Sequence, residues 1–142
     1  MTDAVNVNAA QAASRNSMKN VMAGNRAGWI DLFADDGLIQ DPVGVSPMDP
    51  TGLGHKGKEA IGRFWDATVA TGPMRLEIVQ SFPCADECAN LVRMEKDLPN
   101  GKVLEHLMIV VYRANAAGKI VSLKAYWEFD KLTARIGALL AG

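Results

Sequence analysis

Val103-Leu104-Glu105-His106-Leu107-Met108-Ile109-Val110-Val111-Tyr112-Arg113-Ala114 decides the fold, because three stretches of the same character flank it. These are Arg75 to Phe82, Ala89 to Lys96 and Ile120 to Phe129. Each alternates or runs apolar over a strand's length and favours β-branched and aromatic residues. Asn100-Gly101 is a tight hairpin signal between the second and third, and Asn115-Ala116-Ala117-Gly118 a slightly longer one between the third and fourth. Hairpin-length connections join neighbours head to tail, so the second half reads as a four-stranded antiparallel meander.

Upstream the period changes from two to nearly four. Ala9 to Met22 carries small or apolar residues at Ala10, Ala13, Ser14, Ser17, Met18 and Val21, the spacing of one helical face. Gly24 suits its C-terminal cap. Arg26 to Phe33 reads as a second, short helix stopped by Gly37, and Leu38 to Asp41 as a brief strand, since Pro42 holds the residue before it extended. Gly44 to Gly57 is irregular and a candidate pocket rim. Lys58 to Val69 is a third helix, with Ile61, Phe64 and Trp65 on one face, and Lys131 to Leu140 adds a last helical turn or two. Helices first and a meander afterwards predict an α+β domain, with the helices on one face of a curved sheet.

The chain has 142 residues, enough for one domain spanning 1–142. Fifteen Lys and Arg against 16 Asp and Glu leave a net charge of −1, so no basic excess is available for nucleic acid or an anionic membrane. The longest apolar run, Leu107 to Tyr112, is far below the roughly 18 residues of a membrane span. Met1-Thr2-Asp3-Ala4-Val5-Asn6 has neither a basic start nor an apolar block, and a cytoplasmic location is the expectation. Cys84 and Cys88 lack further ligands at zinc spacing, so they read as two reduced thiols near a turn, and no metal or cofactor is expected.

The chemistry narrows to a few side chains. Strand alternation puts Asp41 on the side of Ile39, facing the core, where apolar surroundings favour the neutral carboxyl and bring its pKa toward a general base's working range. The alternative is a solvated turn aspartate before Pro42. Asp35 and Asp36 read as surface residues. His106 shares its face with Met108, Val110 and Tyr112, as a satisfied core histidine or a hydrogen-bond partner of a ligand; His55 reads as exposed. Tyr126-Trp127-Glu128-Phe129 is either packing or the wall of an apolar pocket.

Together, Ala34-Asp35-Asp36 with Asp41-Pro42-Val43-Gly44, Gly57-Lys58-Glu59-Ala60-Ile61 with Phe64-Trp65, and Gly118-Lys119-Ile120-Val121-Ser122 with Ala125-Tyr126-Trp127 resemble the bacterial ketosteroid isomerases. The likeness runs in order from about Gly24 to Phe129. It extends to the wider nuclear-transport-factor-like, or SnoaL-like, superfamily. The resemblance implies a cystatin-like α+β barrel: a cone of curved antiparallel sheet closed by three N-terminal helices around a deep apolar cavity. It makes Asp41 the base that takes a proton from the carbon beside a ketone and returns it two carbons along. The family's oxyanion donors, a tyrosine on helix one and a protonated aspartate on a strand, fall at Ser17 and Val110, and its supporting tyrosines at Phe33 and Trp65. Ser17, His106 and Tyr112 are the candidate replacement donors. Phe33, Phe64, Trp65, Met108, Val110 and Trp127 are the expected pocket wall.

A steroid delta-isomerase-like protein for a steroid or polycyclic ketone is therefore the leading expectation, weak because one lost oxyanion donor costs on the order of a hundred- to a thousandfold. A carrier or sensor for a lipophilic molecule, a polyketide cyclase-like enzyme and a structural dimer without ligand are the alternatives. The resemblance also implies a homodimer paired through the outer sheet face around Ile109 and Val111. Ser17→Tyr with Val110→Asp is expected to restore isomerisation.

Overall fold

The side chain of Asn8 accepts a hydrogen bond from the backbone amide of Gln11 at 2.8 Å and so starts helix α1, Ala9–Ala23. Its amide nitrogen donates to the carbonyls of Ala85 and Glu87, tying the helix start to a strand turn far along the chain. The structure, a computed structural model, describes residues 7–142. Gly24 ends α1 at a φ of 67°, the left-handed conformation that glycine adopts without a Cβ penalty. The inner face of α1 is small: Ala10, Ala13, Ser14, Ser17 and Met18 are buried, which lets the helix lie close on the sheet.

Helix α2, Arg26–Asp31, is shorter than the sequence predicts, and Phe33 opens strand β1, Phe33–Gln40. The sheet claims the chain here, because Ile120 donates its amide to the carbonyl of Leu32 at 2.8 Å and the Lys119 ammonium holds that of Asp31 at 2.7 Å. Gly37 does not stop a helix. It sits inside β1 beyond a register shift, where a Cβ would stand 3.1 Å from both the Ala34 and Ile120 carbonyl oxygens. Most of the irregular 44–57 stretch is loop closed by Asp49, whose carboxylate accepts from Gly54, and it ends in a short strand β2, His55–Lys56. Helix α3, Lys58–Ala67, follows, and a single 3-10 turn, Val69–Thr71, replaces its expected last residues.

Strands β3, Arg75–Cys84, β4, Glu87–Asp97, β5, Val103–Ala114, and β6, Ile120–Tyr126, form the antiparallel meander. The full order is β2-β1-β6-β5-β4-β3, and the β1–β6 pair is parallel. Register shifts at Ile78/Gln80 and Arg113/Ala114 bend the meander as bulges do. The sheet curves without closing, as the family likeness implies. The C-terminal segment is a full helix α4, Phe129–Ala141, rather than a turn or two.

Between the helices and the inner sheet face lies an aromatic cluster. Trp29 stands with its ring centroid 4.9 Å from that of Phe33, 5.2 Å from Trp65 and 6.4 Å from Phe64. Truncating such a buried aromatic to Ala costs about 3–5 kcal/mol. Two members of the cluster, Trp29 and Phe64, also line a cavity that reaches to α4.

Candidate functional site

That cavity encloses about 300 Å³, at the small end of ligand pockets. It is lined by the buried Ser17, Trp29, Phe64, Val110 and Tyr112, by Met18, Asp41, Met48, Met108 and Trp127, and by the less buried Thr71, Lys96, Leu132 and Ile136. A more open depression of about 410 Å³ between α1 and β3 is lined by none of the candidate catalytic, donor or pocket residues named from the sequence.

Asp41 follows the last residue of β1 and faces the cavity side, as its parity with the fully buried Ile39 requires. The next peptide, to Pro42, is cis. Val43 then returns the chain to the sheet by donating to the Ala125 carbonyl at 3.0 Å. Among the described residues the Asp41 carboxylate has one side-chain partner, the Trp127 indole N–H, at 2.5 Å. Burial raises its pKa above the ordinary carboxylate value, and the Trp127 bond pulls partly the other way. The solvated-turn alternative does not describe it.

Across the cavity three polar groups meet. The Trp29 indole donates to Ser17 Oγ at 2.9 Å, and Tyr112 Oη lies 2.8 Å from the same oxygen. Indole N–H is a donor only, whereas each hydroxyl brings one proton. Tyr112 donates its proton to Ser17, whose oxygen thus accepts twice and keeps its own proton over. Both hydroxyls line the cavity, so one O–H is available to a bound acceptor. Tyr112 keeps its proton firmly, because burial and the nearby Asp41 carboxylate push its pKa up, against the Ser17 bond.

His106 is also buried on the cavity wall, with its ring edge-on to Trp127 at 5.7 Å. Its pKa is lowered by burial and then by the Arg135 charge, which favours the neutral ring. It is not a satisfied core histidine: Nε2 is buried and has no hydrogen-bond partner among the described residues.

Of the expected pocket wall, Phe64, Met108, Val110 and Trp127 line the cavity, while Phe33 and Trp65 do not. Trp29 stands between them and the space, filling what their aromatic rings would otherwise face. The role of Trp29 as a hydrogen-bond donor is the feature that sequence reasoning missed; an inward tryptophan one helix away from an inward serine was the available signal. Leu132 and Ile136 were missed because nothing in the 131–140 segment itself announces which part of the sheet the helix lies against. His55 is half-buried against Phe64, with ring centroids 5.1 Å apart, rather than exposed. Asp35 and Asp36 are exposed, Cys84 and Cys88 are free thiols, and no cluster of three metal-ligating side chains occurs among the described residues.

Comparison with known proteins agrees with this architecture. The pattern of the SnoaL-like domain matches residues 15–123. A Mycobacterium tuberculosis protein crystallised in complex with estradiol-17beta-hemisuccinate is 36% identical, over 87% of this chain and 97% of that one, with a TM-score of 0.80. The delta 5-3-ketosteroid isomerase from Mycobacterium sp. is also 36% identical, over 87% of this chain and 96% of that one, with a TM-score of 0.79. An epoxide hydrolase/cyclase-like enzyme of pyran ring formation in the polyether salinomycin, at 19% identity and a TM-score of 0.72, covers 92% of this chain and 96% of its own, and shares the fold alone. By the matched domain and the identity to these mycobacterial relatives, the chain belongs to the SnoaL-like family, as a ketosteroid isomerase-like member.

Proposed function

We propose that this protein binds a steroid or similar polycyclic ketone in the cavity and moves a proton on it, with Asp41 as the base. The observation that carries the reading is the Asp41 carboxyl in a mostly apolar cavity that also holds a pair of hydroxyls with one proton to spare. Ionised Asp41 takes the proton from the carbon beside the ketone, and the electron pair moves onto the keto oxygen. Asp41 then returns the proton two carbons along the conjugated system. The Trp127 N–H holds the carboxylate in place while it does so. The growing negative charge on the oxygen calls for preorganised donors, and Tyr112 with Ser17 supplies one. Trp29, donating into Ser17, polarises the pair.

Val110, apolar where the isomerases carry a second donor, favours slow turnover, and the same feature supports a second reading as a non-catalytic carrier. Relatives solved with a steroid ester or designed to bind 17-OHP support the ligand class. Homodimerisation through the outer sheet face belongs to the same proposal.

The test pairs two measurements on one sample. Binding of a 5-ene-3-ketosteroid is read by quenching of Trp29 and Trp127, and isomerisation by the absorbance of the conjugated product. We expect the parent to do both and Asp41→Asn to bind without turning over. Binding with no turnover in the parent would establish the carrier instead.

A further inference from the structure

We propose that the cavity carries a second subsite, for an anionic group at the far end of the ligand, formed by Lys96 and His106 on its wall with Arg135 of α4 adding charge from beside it. This deepens the proposed ligand class and rests on it: the ligand is an elongated ketone with a carboxylate or comparable anion opposite the keto end.

The register of β4 and β5 brings the residues together. Met94 pairs with His106 and Lys96 with Leu104, so Lys96 is the diagonal neighbour of His106 on the inward face, within reach of a long side chain. Both line the cavity. From the other side Arg135 of α4 donates to the carbonyl of Glu105, next to His106, and its charge acts on the His106 ring. Lys96 therefore shares the inward face with a histidine whose Nε2 is buried without a partner among the described residues, and the Arg135 charge reaches that ring. Buried polar atoms are nearly always hydrogen-bonded, so this nitrogen on the cavity wall is a group that a bound ligand would satisfy.

Neither cation has a carboxylate of its own among the described residues. Arg26, Arg63, Arg75, Arg93 and Arg113 each hold an Asp or Glu, whereas Lys96 finds only the Thr71 hydroxyl at 3.2 Å. The nearby acids are taken: Glu95 and Asp97 bind Arg75, and Glu105 faces Arg93 at 3.8 Å on the outer face. The inner rim is thus positive and the outer face neutralised. Tyr112 and His106 stand six positions apart on β5, roughly 20 Å along a fully extended strand and less along this curved one, so the two suit opposite ends of one long molecule.

The experiment compares two probes that differ only at the far end: a 3-ketosteroid with a free 17-hydroxyl and its 17-hemisuccinate. Tryptophan quenching gives both dissociation constants for the parent and for a Lys96→Met, Arg135→Met double variant. The hemisuccinate should bind the parent about tenfold more tightly at low salt, with the ratio shrinking in molar salt as an ion-pair contribution must. In the double variant the ratio should fall to within about twofold. Equal affinities in the parent, or a ratio that persists in the double variant or in high salt, would overturn the subsite. Failure of both probes to bind the parent would instead overturn the ligand class, and the subsite with it.

Discussion

Ser17 is the residue on which the site turns, because its oxygen holds the Trp29 indole and the Tyr112 hydroxyl together. Tyr112→Phe takes away the hydroxyl that holds Ser17 in place and leaves the Ser17 proton without that neighbour, and turnover should fall by about tenfold or more while steroid affinity stays within a few-fold. Ser17→Ala leaves Tyr112 its proton, so its turnover loss should be milder. It also strands a buried indole N–H, so its unfolding free energy should drop by about 1–3 kcal/mol in urea titration. Ser17→Tyr would break the bonds that Trp29 and Tyr112 make to the Ser17 oxygen, so its effect is read together with Val110→Asp. Asp41 adds a pH signature. Its pKa is raised in the fold, so its favourable contribution is complete below the unfolded value near 3.9 and is lost as pH rises through the folded value. Asp41→Asn should therefore gain stability relative to the parent between pH 4 and pH 7, by a few degrees in Tm, read by thermal melts across that range. Asp41, Ser17 and Tyr112 were legible from strand and helix parity. The Trp29 bond and the orphaned His106 nitrogen were not, since both depend on which elements meet in space.

At the scale of elements, helix α4 stands apart. None of its residues is buried, and it touches the cavity only through Leu132 and Ile136. Its amides should exchange with deuterium faster than those of α1, and bound steroid should slow them selectively. Removing residues 129–142 should weaken steroid binding by about tenfold while shifting Tm by only a few degrees, because that helix contributes to the ligand's enclosure more than to the core. The meander was readable because its turns carry their own signals, Asn100-Gly101 and Asn115 to Gly118. The end of α2 was not, because Phe33 has the apolar spacing of a helix and is drawn into β1 by Ile120 and Lys119, almost 90 residues away. The parallel β1–β6 pair escaped for the same reason: nothing local to Leu38 or Ser122 announces the other.

At the scale of the whole molecule, the outer sheet face exposes Leu107, Ile109 and Tyr126, with Ile109 paired directly to Tyr126 across β5 and β6. A contiguous apolar row on a sheet is a surface that a second copy can cover symmetrically. Sedimentation at micromolar concentration should give a dimer for the parent and a monomer for Ile109→Lys; a monomeric parent would remove the dimer from the account. The cavity lies on the opposite face, so the monomeric variant should still bind steroid. The central claim, that Asp41 takes a proton from carbon inside an apolar cavity, can be measured even where turnover is slow. Incubating a 4-ene-3-ketosteroid with the protein in deuterium oxide and following label at the carbon beside the ketone by NMR reports that single step. The account predicts exchange well above the buffer rate for the parent and buffer-rate exchange for Asp41→Asn; equal exchange in the two, or none in a parent shown to bind the steroid, would contradict it.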